Sequence, residues 1–158
     1  MGKPFRLVGV AGTFDLLHKG HKALLRKAYE VGELVVIGLT TDEFAAGVKL
    51  HDVAPYRERL EELLAFILHE GQIHRTEVVA INDPYGPALW DGGFEALIVS
   101  EETAPRAEKL NRLRAERGLK PLELVVIPMV LAEDGEPIST TRIRAGEIDR
   151  EGHLLGGR

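Results

Sequence analysis

The sequence predicts an α/β protein, a single domain built on a doubly wound parallel sheet of five strands. Short apolar, β-branched runs alternate with longer segments whose leucines and alanines recur every three or four residues, the pattern of strand–helix–strand units. A strand, a helix and a strand in that order favour a right-handed crossover and parallel pairing. No repeat, low-complexity linker or change of composition divides residues 1–158.

Each element can be justified in chain order from its apolar pattern and its stop signal. The first strand ends at Gly12, and Gly32, Gly71 and Gly118 follow the three long helices as C-terminal stop signals. Pro128 demotes the later part of the fifth strand towards an edge or a bend. The predicted strands are 5–11, 34–39, 76–81, 94–99 and 122–131; the long helices are 19–31, 55–70 and 104–117; short helical segments open at Thr40 and after Ile138, and residues 150–158 form a frayed tail.

Composition limits the class of function. The net charge of −5 argues against a general nucleic-acid binder, so a polyanionic ligand must meet a local cluster of cations. The absence of cysteine excludes a disulfide framework, a thiolate nucleophile and a cysteine-ligated zinc ion. His51, His69, His74 and His153 lack the spacing of metal ligands, so no resident metal site is predicted. With no signal-peptide pattern and no apolar run of membrane-spanning length, we expect a cytoplasmic protein with no nucleic-acid or membrane partner, and a monomer as the default state.

The stretch 8–21 joins the first predicted strand to the first helix through a tight glycine turn. Free backbone N–H groups and the positive end of the helix dipole make such a crevice an anion site. Thr13 adds a hydroxyl, and His18 and His21 stand at its mouth. Because ligands of open parallel sheets bind beyond the carboxyl ends of the strands, the predicted fold is Rossmann-like with its site here. The alternative is a structural strand–turn–helix unit that carries two surface histidines.

Residues 12–21 read Gly-Thr-Phe-Asp-Leu-Leu-His-Lys-Gly-His and fill every fixed position of the pattern G-T-F-D-x-x-H-x-G-H. This resembles the signature of the superfamily of nucleotidyltransferases that join a nucleoside triphosphate to a phosphorylated small molecule. Residues 138–144 resemble its second signature, I-S-S-T-x-I-R, with Thr140 in place of the middle serine. Hydroxyls and a helix N-terminus suit phosphate oxygens, and Arg144 can neutralise their charge.

The resemblance implies a reaction that needs positioning and charge stabilisation more than a strong base. An acceptor phosphate attacks the α-phosphorus of the nucleotide, and pyrophosphate leaves. His18 and His21 are expected to bind phosphate oxygens, with Lys49 as a mobile cation and Mg²⁺ bridging the phosphates of ATP. The resemblance therefore implies His18, His21, Lys49 and Arg144 as the catalytic residues.

Three further segments, 82–88, 99–103 and 111–114, resemble phosphopantetheine adenylyltransferases of the archaeal and eukaryotic type, and 134–135 with 146–149 resemble the archaeal branch. The resemblance implies that ATP and 4′-phosphopantetheine give dephospho-coenzyme A and pyrophosphate. Glu101 and Glu102 stand where the bacterial branch has arginines, so the phosphate grip is expected from Arg106, Arg114 or Arg144. The implied nucleotide contacts are Gly12, Thr13, Phe14, Gly20, His21, Ser100, Glu101, Ser139, Thr140 and Thr141; the implied acceptor contacts are Thr13, Lys49, Asp83 and Tyr85.

Two other functions stay open on the sequence. A sister enzyme, such as a glycerol-3-phosphate cytidylyltransferase or an FAD synthetase, carries nearly the same first signature but uses another base or acceptor. A nucleotide-binding sensor without turnover is the second alternative. A protein that only binds a nucleotide would not need His18, His21, Lys49 and Arg144 together, so their presence argues against this alternative.

Overall fold

The computed structural model describes residues 2–48 and 52–156. One sheet of five parallel strands forms its centre, in the order β3-β2-β1-β4-β5. The predicted fold class, a Rossmann-like doubly wound sheet in one domain, is confirmed. The strands are β1 (Phe5–Gly12), β2 (Gly32–Thr40), β3 (Thr76–Ile81), β4 (Ala96–Ser100) and β5 (Glu123–Ile127).

Helices flank the sheet, close to the positions predicted from their apolar spacing. They are α1 (Lys19–Val31), α2 (Asp42–Val48), α3 (Tyr56–His69), α4 (Ala104–Glu116) and α5 (Thr140–Arg144), with single 3₁₀ turns at Ile73–Arg75 and Gly86–Leu89.

Alternating side chains of the strands divide the core between the two faces of the sheet. Val8, Val35 and Ile98 point to one face, where they pack with residues of α1 and α3. Their sequence neighbours Leu7 and Leu97 point to the other face, which α4 and the 3₁₀ turn Gly86–Leu89 cover. The chain therefore winds in both directions from β1, and the carboxyl ends of β1 and β4 diverge at a topological switch point.

The junction between α1 and β2 contains no connecting residue, because the helix ends at Val31 and the strand begins at Gly32. Gly32 donates its backbone N–H to the carbonyl of Ala28 as the helix cap and is also paired opposite Phe5 in the sheet. A Cβ atom on Gly32 would lie 2.6 Å from Cγ2 of Val8, so only glycine fits there. The sequence predicted the cap but placed the start of the strand two residues later, at Leu34.

The last thirty residues differ most from the prediction. The fifth strand ends at Ile127, immediately before Pro128, and does not continue to Leu131. Leu131 instead forms an isolated antiparallel bridge with Pro137. The proline explains the earlier end, because it has no N–H to donate to a neighbouring strand.

The expectation of a frayed tail from residue 150 is wrong for residues 150–155. Ile148 and Leu154 form an antiparallel bridge, and the N–H of Leu155 donates to the carbonyl of Glu147. A third, small core of Ala132, Ile138 and Ile148 anchors this segment. Its apolar residues are too widely spaced to produce a helix or strand pattern in the sequence.

Within residues 2–48 and 52–156, no helix is long and apolar enough to cross a membrane.

Candidate functional site

A cavity of about 1040 Å³ opens at the carboxyl ends of β1, β4 and β5, at the switch point of the sheet. The turn after β1, the start of α1, the loop after β4 and the start of α5 all contribute to its wall. It brings together most of the residues that the sequence singled out, although they come from four separate segments. The predicted site residues that line it are Gly12, Thr13, Phe14, His18, Gly20, His21, Tyr85, Ser100, Glu101, Ser139, Thr140 and Thr141.

Three predicted residues are not part of this described wall. Asp83 lies beside it, where its Oδ1 accepts from the N–H groups of Tyr85 (2.8 Å) and Gly86 (2.7 Å) and holds the loop after β3. Arg144 lies behind the wall in an ion pair with Asp15. Lys49 lies outside the described residues, so its prediction stays a prediction.

His18 and His21 cap the N-terminus of α1 reciprocally. Nδ1 of His18 accepts from the N–H groups of Gly20 (3.0 Å) and His21 (3.3 Å), while Nδ1 of His21 accepts from the N–H of His18 (3.1 Å). The two rings stack, with centroids 3.7 Å apart and planes 17° apart. Because each Nδ1 is an acceptor, the neutral rings carry their protons on Nε2. The cap thus fixes the tautomer of both neutral rings.

The imidazole of His18 is held neutral by its surroundings. Only 6% of the residue is exposed, and this burial is the largest cause that lowers its pKa, to about 4. The positive charge of Arg150 lowers the pKa further, whereas the carboxylate of Asp15 opposes the shift. At neutral pH His18 is therefore a hydrogen-bond donor without a net charge.

The turn that leads from β1 to α1 is tight and strained. Phe14 and Leu16 both have left-handed backbone conformations, with φ of 51° and 50°, which side chains with a Cβ rarely adopt. The fold holds this turn from beneath, where Nη1 of Arg59 donates to the carbonyl oxygens of Thr13 (3.0 Å) and Thr40 (2.9 Å). Oγ1 of Thr40 donates to Oγ1 of Thr13 (3.0 Å), so the hydroxyl proton of Thr13 can be donated into the cavity.

Asp15 connects the two sequence signatures. Its Oδ2 and Oδ1 accept from Nε and Nη2 of Arg144, each at 3.0 Å, in a two-point ion pair. Its Oδ1 also accepts from the N–H of Ala54, and its carbonyl accepts from Oγ1 of Thr140 (2.8 Å). Asp15 is only 2% exposed, and the hydrogen bonds that its carboxylate accepts raise the pKa of Arg144. Asp15 is a fixed position of the first signature, but no role was predicted for it from the sequence.

The second signature forms the predicted short helix with a hydroxyl cap. Oγ of Ser139 accepts from the N–H of Arg142 (3.2 Å) at the start of α5. The guanidinium of Arg142 lies in the cavity wall between two carboxylates, those of Asp134 and Glu147. These pairs hold the turn before α5 and the turn after it against the helix.

The three arginines considered for the phosphate grip have different environments. Arg106 lines the cavity. Arg114 is 1% exposed and donates to the carbonyl oxygens of Ala88, Asp91 and Lys120, so its role is to hold the fold, and its assignment to the phosphate grip is wrong. Arg144 is committed to Asp15, as described above.

No three or more histidine, aspartate or glutamate side chains of the described chain come together in a way that could hold a metal ion.

The parallel sheet, the anion crevice after β1 and the capped helix of the second signature define the class of nucleotidyltransferases. The model of the family described as cytidylyltransferase-like matches residues 10–146. Three archaeal relatives, all named phosphopantetheine adenylyltransferase, match almost the whole chain. That of Methanothermobacter thermautotrophicus is 45% identical over 155 residues, covering 98% of this chain and 93% of the relative.

The relative from Thermococcus gammatolerans is 49% identical and covers 98% of both chains. That from Methanosarcina barkeri is 50% identical over 150 residues, covering 93% of this chain and 91% of the relative. The chain belongs to the phosphopantetheine adenylyltransferases of the cytidylyltransferase-like family. A solved structure of a protein of unknown function from Archaeoglobus fulgidus has a TM-score of 0.70 and 34% identity, covering 78% of this chain and 99% of that one.

Proposed function

We propose that this chain transfers the adenylyl group of ATP to 4′-phosphopantetheine, giving dephospho-coenzyme A and pyrophosphate. The observation that carries the proposal is the reciprocal His18–His21 cap in the cavity wall, which fixes both rings with Nδ1 as the acceptor. The names of the archaeal relatives support the choice of substrates.

In this reaction an oxygen of the acceptor phosphate forms a new bond to the α-phosphorus of ATP. The bond from the α-phosphorus to the bridging oxygen breaks, and its electron pair leaves with pyrophosphate. The acceptor is already an anion, so no side chain has to remove a proton. The donors of His18 and His21, with the hydroxyl of Thr13, stabilise the charge that builds up on the five-coordinate phosphorus.

The other predicted residues receive proposed roles from their places in the wall. Gly12, Phe14 and Gly20 shape the phosphate crevice, and Ser139, Thr140 and Thr141 face the triphosphate from α5. Ser100 and Glu101 border the nucleotide beyond β4. Tyr85 faces the pantetheine arm, with Asp83 holding its loop.

The proposed cations act in different ways. Lys49 supplies a positive charge for the reacting phosphates, and Mg²⁺ would enter with ATP and offset the charge of its phosphates. Arg144 acts through its ion pair with Asp15, which holds α5 and Thr140 against the first signature. From the sequence-based expectation we also propose that the protein acts in the cytoplasm and as a monomer.

The test is pyrophosphate release from ATP with Mg²⁺ and 4′-phosphopantetheine. Glycerol 3-phosphate, FMN and nicotinamide mononucleotide serve as competing acceptors, and CTP as the competing nucleotide. We expect turnover only with ATP and phosphopantetheine. Turnover with another pair would identify a sister enzyme, and ATP binding without any turnover would identify a sensor.

The His21→Ala variant tests the site in the same assay. Loss of one donor to a developing negative charge lowers kcat by roughly 100- to 1000-fold. His74→Ala is the matched control, because His74 is exposed and lies far along the chain in a 3₁₀ turn. Equal activity of His21→Ala and the control would contradict the proposed role.

A further inference from the structure

Both backbone N–H groups that flank His18 are held by residues outside the cavity wall. The N–H of Leu17 donates to Oε1 of Glu62 (2.9 Å), and the N–H of Lys19 donates to the carbonyl of Arg150 (2.9 Å). Glu62 belongs to α3, and Arg150 lies beyond residue 146, where the family model ends.

The two holding residues also bind each other. Nη1 of Arg150 donates to Oε2 of Glu62 (2.7 Å), so both carboxylate oxygens of Glu62 are used, one on each side. Leu17, Glu62, Arg150 and Lys19 thus form a closed ring of contacts around His18. The ring joins α3 and the C-terminal segment to the first turn of α1.

This ring has a mechanical consequence for the His18 side chain. His18 is the N-cap of α1 and has an extended backbone, with φ of −125° and ψ of 179°, so its orientation depends on the residues to either side. The free N–H groups of a helix end otherwise turn to water. Here the N–H of Lys19 has a fixed protein acceptor, so the backbone is held on both sides of His18.

We propose that Glu62 and Arg150 are a positioning pair that holds residues 17–19, and with them the His18 imidazole, for adenylyl transfer. The proposal rests on the proposed function, since it needs His18 as a donor in that reaction. Neither Glu62 nor Arg150 lines the cavity, so both act through His18. Their side chains are 40% and 43% exposed, and an ion pair so exposed contributes little to stability.

The charge of Arg150 acts in the same direction as its contacts. The groups that face His18 are Asp15 from the turn, His21 from α1 and Arg150 from the C-terminal segment. Burial is the main cause of the low pKa of His18, and the Arg150 cation lowers the pKa further against the opposing effect of Asp15. The cation of Arg150 therefore favours a neutral imidazole, and the contacts of Glu62 and Arg150 favour a fixed one.

The kinetic test compares variants of adjacent residues on α3. Glu62→Leu removes both contacts, whereas Glu62→Gln keeps an oxygen for Leu17 and loses the charge. Glu61→Leu is the matched control, because Glu61 forms an exposed ion pair with Arg57 on the same helix. We expect Glu62→Leu to lower kcat by about 10- to 100-fold with little change in KM, since misplacement of a reacting group by about 1 Å has this order of effect.

A double-mutant cycle shows whether Glu62 acts through His18. In a His18→Ala background the Glu62→Leu substitution should have no further effect on kcat, because the group that it positions is gone. The same fold-loss in both backgrounds would overturn the proposal. So would an equal loss in Glu61→Leu.

A readout without turnover separates this inference from the proposed function. Titration of the His18 imidazole by NMR in the Arg150→Met variant should give a pKa raised from about 4, while the backbone carbonyl of residue 150 remains in place. Unchanged His18 shifts and pKa in both Glu62→Leu and Arg150→Met would sink the positioning pair. If the variants change the His18 signals but the wild-type protein releases no pyrophosphate, the proposed function is wrong, while the holding of His18 by Glu62 and Arg150 stands.

Discussion

At the scale of the residue, His18 makes the stability of the protein depend on pH. Its folded-state pKa of about 4 lies below the ordinary value of 6.5, so between these values the unfolded chain binds more protons than the folded one. Stability from this group is therefore complete above about pH 6.5 and is lost as pH falls towards 4. The shift corresponds to about 3 kcal/mol in the free energy of unfolding.

We expect His18→Gln to remove this part of the pH dependence. Urea unfolding of both proteins from pH 4 to 8 gives the comparison, and the difference between their unfolding free energies should change across pH 4 to 6.5. The His74→Gln control, at an exposed position, should follow the wild type. Parallel curves for His18→Gln and wild type would mean that folding does not shift the pKa of His18.

The sequence predicted the residues of the site well where a motif names them, and poorly where a contact crosses the fold. Most residues of 12–21 and all of Ser139 to Thr141 line the cavity, because both motifs include the start of a helix, a geometry that hydroxyls, glycines and histidines indicate locally. Arg59, Glu62 and Arg150 were missed because their partners lie far away along the chain. Nothing in their local spacing distinguishes them from solvated surface charges.

At the scale of the element, Asp15 links the turn after β1 to α5 and to Ala54 in the segment before α3. Its contacts with Arg144 and Thr140 join residues 129 and 125 positions apart. The Asp15→Asn substitution leaves Arg144, whose side chain is 30% exposed, without its two-point partner. We expect the free energy of unfolding to fall by about 2 kcal/mol, the order of a hydrogen bond to a charged group.

Chemical denaturation at pH 7 measures this loss. The control is Glu30→Gln, which breaks the exposed pair of Glu30 with Lys27 on α1 and should change stability by less than about 1 kcal/mol. Similar effects of the two substitutions would show that the pair of Asp15 and Arg144 is as solvated as a surface pair.

At the scale of the whole molecule, the site is built from segments that only the finished sheet brings together. A ligand that spans them binds the folded chain and not the unfolded one, so it raises stability by mass action. Saturation with ATP and Mg²⁺ at about 100 times Kd should add about 2.7 kcal/mol, and raise Tm by roughly 5 to 10 °C for a chain of this size. Thermal unfolding followed with and without the ligand measures it.

Removal of the metal is the informative comparison. We expect EDTA to lessen the ATP-induced rise in Tm, because Mg²⁺ shares the charge of the phosphate chain with the few cations of the cavity. A rise in Tm that is equal with and without EDTA would assign the whole of ATP binding to protein groups.

The architecture as a whole followed from periodicity, but the region after β5 did not. Alternating strands and helices with glycine stops are strong signals, and the five parallel strands were predicted from them. The C-terminal segment was misjudged because Ala132, Ile138 and Ile148 form their small core from turns and isolated bridges. Such a core leaves no period in the sequence, although the same C-terminal segment contains Arg150, whose carbonyl accepts from the N–H of Lys19.

The junction at Gly32 limits how the length of this chain can change. A helix turns 100° with each residue and a strand turns its side chains over, so one extra residue between Val31 and Gly32 would rotate one element against the other. Either the apolar face of α1 or that of β2 would then leave the core. The segment from the histidines to β2 can therefore vary only in the kind of its residues and not in their number.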